Sequence, residues 1–145
     1  MNTEVLSKYY FAYGSNMDME QMAARCPGAE PIAEASLPGW KFRIYQRGYA
    51  TITPQIGSTV WGGVWRVSEK HLSDLDRYEG VHRQMYQRKL VVVDRKGETL
   101  QAVTYVDRFE GSGIATPAYA ETIRAGARGF TLPSRYLEEI EGELG

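Results

Sequence analysis

The chain has 145 residues, and its 17 lysines and arginines against 18 aspartates and glutamates give a formal net charge of −1. The length suits one globular domain over residues 1–145, and an apolar share of 43% excludes a disordered chain. One cysteine and two histidines provide neither an internal disulfide nor a self-sufficient metal cluster. The charge balance argues against nucleic acid as a partner. No apolar run reaches the roughly 18 residues of a membrane span, and the first ten residues contain no signal-peptide core, so a cytoplasmic protein is expected.

Short strands dominate the first half of the chain. Residues 8–13 are mainly aromatic and predict a strand that ends at Gly14. Residues 17–25 predict a short helix with Asp18 as its N-cap. Further along, the apolar spacing shortens towards a period of two, with glycines and prolines as punctuation. This pattern predicts three more strands, over residues 40–46, 50–53 and 59–67.

A helix and a hairpin follow these strands. Ser68 is a good N-cap for a helix over residues 69–78, and Gly80 is typical of the residue that ends one. Residues 85–94 and 99–107 then predict two strands joined by a polar turn, RKGE. We expect these two strands to form an antiparallel hairpin.

The C-terminal part of the chain is predicted to be helical. Thr116 and Pro117 suit the N-cap and the first position of a helix, and the last helix has an apolar stripe of Leu137, Ile140 and Leu144. Strands in the majority, with one helix after the third predicted mid-chain strand and others at the end, indicate an α+β protein. Gly62 and Gly63 inside a strand suggest a bulge or a tight corner, which favours a small, closed or nearly closed barrel.

Glu79 is the most informative single residue. It continues the apolar stripe of Leu72 and Leu75 along the predicted helix, at a C-terminus where the helix dipole disfavours negative charge. A buried carboxyl group there would have a raised pKa, which suits a general acid or base near neutral pH. In the alternative interpretation, the last turn of the helix frays and Glu79 points to solvent.

The turn Tyr13-Gly14-Ser15-Asn16 is a second candidate site, because a strand there leads directly into a helix. Glycine allows close approach of the backbone to a ligand, and successive N–H groups can bind an anion or a developing oxyanion. The same residues are also typical of an ordinary turn. Both interpretations are consistent with the pattern.

Other reactive residues lack a supporting context. Ser15 is not in a nucleophile-elbow motif, and Cys26 precedes a proline and has no basic neighbour beyond Arg25, which favours a buried structural thiol. The glycines at 111 and 113 lack the strand and the lysine of a phosphate-binding loop. The ten tyrosines are expected to line the core or a cavity rather than stack on bases.

Several segments together resemble the γ-glutamylcyclotransferase family (AIG2-like). They include FAYGSNM near the start, ATITP and VWGGVWRV in the middle, and LDRYEGV around Glu79. Downstream, MYQRKLVVV, AVTYV and PAYAETIRAGARGFTLPSRYLEEI follow in the order of that family. The resemblance extends from about Tyr10 to Leu144, and it implies a mixed, strongly twisted β-barrel with flanking helices and one cavity.

The resemblance also implies a set of site residues. Glu79 matches the catalytic glutamate of the family. Substrate-binding positions correspond to the loop residues Tyr10, Phe11, Ala12, Tyr13, Gly14 and Ser15 and to the tyrosines Tyr86, Tyr105 and Tyr119.

The activity implied by the resemblance is cyclisation of a small γ-glutamyl compound to 5-oxoproline, with release of an amino acid or an amine. This reaction requires no metal and no cofactor, and the resemblance allows a homodimer. Asn16 replaces the leucine of the glutathione-specific branch, which points to γ-glutamyl amino acids or γ-glutamyl amines as substrates. The alternative is a non-catalytic module of the same fold that binds a small ligand.

Overall fold

Five strands form a closed barrel in the order β1-β3-β2-β4-β5 in the computed structural model, which describes residues 8–107 and 111–145. The strands are β1 (Lys8–Ala12), β2 (Glu30–Ile44), β3 (Ala50–Val67), β4 (Tyr86–Arg95) and β5 (Glu98–Asp107). Neighbouring strands run antiparallel except β1 and β5, which meet in parallel at Tyr10 and Val103. The predicted α+β fold with a small closed barrel is therefore confirmed.

Four α-helices flank the barrel: α1 (Met19–Arg25), α2 (Glu69–Tyr78), α3 (Pro117–Gly129) and α4 (Ser134–Leu144). Asp18 caps α1, Ser68 caps α2 and Thr116 caps α3, each accepting a hydrogen bond from a backbone N–H inside its helix. All three N-caps were predicted from the sequence. Side-chain capping of this kind satisfies donors that the first helical turn leaves without a partner.

The strands β2 and β3 are longer than the sequence predicts. The predicted strands over residues 50–53 and 59–67 are one continuous strand, β3, and β2 begins ten residues before the predicted start at residue 40. Prolines and glycines such as Pro38, Gly39 and Gly57 ordinarily end a strand. In the structure they bend the ribbon without ending it: the pairing of β2 with β3 shifts register between Pro38 and Trp40, and both glycines have positive φ.

The bulge predicted around Gly62 and Gly63 is absent from the described strands, because both residues pair in regular register with β2. Because Gly62 and Gly63 have no side chain, neighbouring residues can pack directly against their backbone. A Cβ atom on Gly62 would lie 2.3 Å from the carbonyl oxygen of Ala12, and one on Gly63 would lie 2.3 Å from the ring of Phe130. These contacts bring β1 and α3 tightly against β3.

Helix α3 holds the segment that follows β1. A 3₁₀ turn at Ser15–Met17 links β1 to α1, and Gly126 of α3 packs directly on its backbone. A Cβ atom on Gly126 would lie 2.5 Å from the carbonyl carbon of Met17 and 2.6 Å from the nitrogen of Asp18. This close approach fixes the loop after β1 relative to the barrel.

We expect Gly126→Ala to lower the free energy of unfolding by about 1–3 kcal/mol, because backbone atoms cannot move aside as a flexible side chain can. Gly142→Ala in α4 is the matched control, since its Cβ atom would meet no atom within 4 Å. That variant should gain up to about 1 kcal/mol from helix propensity. Urea denaturation of both variants measures the difference, and equal stability would contradict the packing role of Gly126.

Candidate active site

A cavity of about 330 Å³ opens where the loop after β1, the β2–β3 turn, the end of α2 and the start of α3 meet. Tyrosines dominate its lining, and its charged members among the described residues are three arginines and one glutamate. The lining residues are Tyr10, Tyr13, Gly14, Ser15, Asn16, Gln21, Arg25, Arg47, Tyr49, Ala50, Tyr78, Glu79, Arg83, Met85, Tyr86, Tyr105 and Tyr119.

Glu79 is held at the cavity by the end of α2. Its backbone N–H donates to the carbonyl oxygen of Leu75 at 2.8 Å, so the last turn of the helix is formed rather than frayed. The next residue, Gly80, adopts the left-handed conformation with φ of 67° and turns the chain away. The carboxyl group of Glu79 is thus partly buried in the cavity wall. This agrees with its predicted place on the apolar stripe of Leu72 and Leu75.

The surroundings of Glu79 raise its pKa from the usual 4.5 to about 7. Burial is the main cause, because it disfavours the charged carboxylate, and the negative charge of Asp107 acts in the same direction. The positive charges of Arg25 and Arg47 oppose the shift. With this pKa, both the neutral and the charged form of the Glu79 carboxyl group are accessible near neutral pH.

Hydrogen bonds fix the tyrosine hydroxyl groups around the cavity. Tyr86 donates to the carbonyl oxygen of Ala50 at 2.8 Å, and the N–H of Ala50 donates to the hydroxyl oxygen of Tyr119 at 3.0 Å. Tyr13 donates to the backbone oxygen of Tyr105. Burial raises the pKa of each of these four tyrosines, so they remain neutral and shape the cavity without adding charge.

The loop after β1 is braced by side-chain hydrogen bonds. Asn16 donates to the hydroxyl oxygen of Tyr10 at 3.0 Å and accepts from Gln21 at 2.9 Å and Arg25 at 3.1 Å. Gln21 also donates to the hydroxyl oxygen of Ser15 at 2.7 Å. A continuous network therefore holds Ser15 and Asn16 in place beside the cavity.

The predicted substrate-binding residues separate into two groups. Tyr10, Tyr13, Gly14, Ser15, Tyr86, Tyr105 and Tyr119 line the cavity together with Glu79. Phe11 and Ala12 are almost fully buried in the barrel core and are not among the lining residues. This difference follows from strand geometry for Phe11, because neighbouring side chains of a strand point to opposite faces.

Cys26 matches its predicted role. The thiol is buried, and burial raises its pKa to about 11, so it stays protonated and unreactive at neutral pH.

Sequence reasoning missed the cationic part of the cavity. Arg47 lies in the β2–β3 turn and donates to the carbonyl oxygen of Met85 at 3.2 Å and to Asp107 at 3.0 Å. Its guanidinium also lies over the rings of Tyr49 and Tyr86. The partners are up to 60 residues apart in the chain, and no local pattern signals such a contact.

Comparison with known proteins identifies the family. The family model described as "Gamma-glutamyl cyclotransferase, AIG2-like" matches residues 10–120. The chain belongs to this family. It is 32% identical to the γ-glutamylcyclotransferases of Mus musculus and Homo sapiens, over 91% of this chain and 76% of each relative.

Solved structures show the same fold. A γ-glutamyl cyclotransferase structure superposes with a TM-score of 0.88 at 32% identity and covers 93% of this chain and 86% of its own. YkqA of Bacillus subtilis superposes with a TM-score of 0.80 at 27% identity, over 95% of this chain and 55% of its own. The barrel fold is thus shared with these solved structures.

Two further findings concern ions and membranes. Within residues 8–107 and 111–145, no three histidine, cysteine, aspartate or glutamate side chains are grouped so that they could hold a metal ion. In the same ranges, no helix is long and apolar enough to cross a membrane.

The raised pKa of Glu79 predicts a pH-dependent effect of Glu79→Gln on stability. The native state keeps a proton that the unfolded chain loses above pH 4.5, so wild-type stability falls as the pH rises from about 4.5 to about 7. The glutamine variant has no such loss. We expect the free energy of unfolding of the variant to equal that of wild type at pH 4.5 and to be larger by about 2 kcal/mol at pH 8.

Urea denaturation midpoints at the two pH values test this expectation. A glutamine variant that is less stable than wild type at pH 8 would show that the Glu79 carboxylate is well solvated or well paired.

Proposed function

We propose that the protein cyclises the γ-glutamyl group of γ-glutamyl amino acids or γ-glutamyl amines to 5-oxoproline and releases the amino acid or amine. The observation that carries this proposal is a partly buried glutamate with a pKa of about 7 in the cavity of a γ-glutamyl cyclotransferase fold. The related proteins of mouse and man carry the name of this activity.

The substrate supplies its own nucleophile, the α-amine. Deprotonated Glu79 takes a proton from the substrate α-ammonium group, and the free amine attacks the γ-carbonyl carbon. A carbon–nitrogen bond forms, the five-membered ring closes, and the carbonyl oxygen becomes an oxyanion. Because the reaction is intramolecular, holding the substrate in a folded conformation lowers the barrier by several kcal/mol.

The tetrahedral intermediate then collapses. The oxyanion reforms the carbonyl group as the bond to the leaving nitrogen breaks, and protonated Glu79 gives its proton to that nitrogen. The ring nitrogen, which still carries a second proton after the attack, passes that proton to the departing amine, so the products are the neutral lactam and an ammonium ion. Glu79 ends the cycle as a carboxylate, ready for the next substrate. A single carboxyl group with a pKa near neutrality can serve as base and then as acid, because neither form is costly to reach.

The remaining cavity residues position the substrate. The backbone N–H groups around Gly14 and Ser15 bind negatively charged oxygen atoms, either of the α-carboxylate or of the oxyanion. The tyrosines Tyr10, Tyr13, Tyr86, Tyr105 and Tyr119 enclose the glutamyl chain. Phe11 and Ala12 contribute indirectly, since their packing in the core anchors the loop that follows them.

Replacement of Glu79 by glutamine should abolish turnover without loss of ligand binding. General acid–base catalysis contributes about 10²–10⁴-fold, so we expect kcat to fall by at least about 100-fold. For wild type, kcat/KM should rise with pH and level off above about pH 7, as Glu79 loses its proton. End-point assays of 5-oxoproline with a panel of γ-glutamyl amino acids and amines measure both effects.

The glutamine variant also separates catalysis from simple binding. A fully active variant would remove Glu79 as the base. A wild-type protein that binds 5-oxoproline in a thermal-shift assay but converts no substrate would indicate a binding module.

Gly14→Ala should weaken substrate binding more than it weakens the fold. The new Cβ atom would lie 3.3 Å from the Cβ atom of Ala50 and 3.6 Å from the hydroxyl oxygen of Tyr119, inside the cavity wall. We expect the affinity for 5-oxoproline to fall about tenfold, which is 1.4 kcal/mol of binding free energy. Titration calorimetry of the variant and wild type tests this, and equal affinities would count against the role of the loop.

A further inference from the structure

The cavity carries more positive than negative charge. Its charged lining residues, within the described ranges, are Arg25, Arg47, Arg83 and Glu79. Arg47 is balanced by Asp107, whose carboxylate lies 3.0 Å away. Neither Arg25 nor Arg83 forms an ion pair with any carboxylate in the described part of the chain.

The two unbalanced arginines lie at different depths. Arg25 is half-buried, donates to Asn16 and has its guanidinium carbon 4.8 Å from the ring centre of Tyr78. Its positive charge acts on the carboxyl group of Glu79. Arg83 lines the same cavity but is exposed, so it belongs to the rim.

A rigid turn fixes the position of Arg83 relative to Glu79. The chain reverses at Gly80, and the N–H groups of Arg83 and Met85 both donate to the Gly80 carbonyl oxygen at 3.0 Å. Residues Val81–Arg83 form a 3₁₀ turn that ends at Gln84, which has a positive φ. The base and the rim arginine are thus four residues apart at two ends of one short, hydrogen-bonded segment.

Substrate chemistry supplies a partner for the rim arginine. A γ-glutamyl amino acid has two carboxylates, one on the glutamyl group and one on the carbon next to the leaving nitrogen. A γ-glutamyl amine has only the first. In a substrate bound with its α-amine against Glu79, the glutamyl carboxylate is on the adjacent carbon, and the leaving group has to depart through the cavity opening, where the exposed Arg83 lies.

We propose that Arg83 binds the α-carboxylate of the leaving amino acid and makes the enzyme selective for γ-glutamyl amino acids over γ-glutamyl amines. This inference rests on the proposed function. A guanidinium group suits this task because its parallel N–H groups match the two oxygen atoms of a carboxylate. Arg83 acts on substrate choice and takes no part in proton transfer.

A matched pair of substrates isolates the carboxylate. γ-Glutamylalanine and γ-glutamylethylamide differ only in the carboxylate of the leaving group. We expect Arg83→Gln to lower kcat/KM for γ-glutamylalanine about tenfold, with a change of less than about twofold for γ-glutamylethylamide. Arg135→Gln is the control, since Arg135 is exposed in α4 and does not line this cavity.

The outcomes separate this inference from the proposed function. Formation of 5-oxoproline from both substrates, with a kcat/KM ratio that Arg83→Gln leaves unchanged, would overturn the role of Arg83 and leave the cyclisation intact. An equal loss for both substrates would overturn it too and indicate a general effect on the rim. No 5-oxoproline from either substrate with wild type would overturn both proposals. Thermal denaturation of Arg83→Gln checks that the variant folds as wild type does.

Discussion

Burial of the Glu79 carboxyl group is the constraint on which the site depends. A glutamate at a helix C-terminus would ordinarily turn to solvent, where its charge is well hydrated and away from the helix dipole. Here the left-handed Gly80 packs against Met85 so closely that a Cβ atom on the glycine would lie 2.8 Å from the methionine sulfur. The hydrogen bonds from Gly80 to Arg77 and from Met85 to Gly80 close this turn, and the carboxyl group lies in the cavity wall.

The tyrosines that line the cavity determine the surroundings of the buried Glu79 carboxyl group. Their hydroxyl groups bind mainly to backbone atoms or to fixed side chains, as in the contact of Tyr105 with Asp76 at 2.7 Å. Because burial raises the pKa values of these tyrosines, their hydroxyl groups stay protonated near neutral pH. The carboxyl group of Glu79, with a pKa of about 7, is then the lining carboxyl group of the described cavity that changes charge in that range. An aromatic wall therefore lowers the local polarity around Glu79 without offering a competing proton donor of similar pKa.

The sequence predicts elements whose signals are local. The helix that Ser68 begins and Gly80 ends, and the hairpin of β4 and β5, agree with the structure to within one residue, because caps, turns and alternation act over a few residues. The full lengths of β2 and β3 were missed, since their pairing bends through prolines and glycines that ordinarily end a strand. Long-range packing overrides local preference there.

The residues of the candidate site also differ in whether a local sequence pattern predicts them. Glu79 was found because its helix places it on an apolar face, and the loop at Gly14 because a strand runs directly into a helix. The resemblance to a family supplied the tyrosines. Arg47 and Asp107 meet only when the barrel closes, so neither a periodic pattern nor a short motif could bring them together.

The proton transfer and the substrate choice that we propose depend on different parts of the fold. An intramolecular cyclisation needs one carboxyl group, a folded substrate and donors for an oxyanion, and the proposal assigns these to the end of α2, the tyrosine-lined cavity and the loop after β1. The charge at the rim comes instead from Arg83, in the short turn after α2. Turns tolerate change far better than packed strands do, because fewer buried contacts depend on them. A protein of this fold can therefore change the leaving group that it accepts by altering its turns, while the geometry around the base stays fixed.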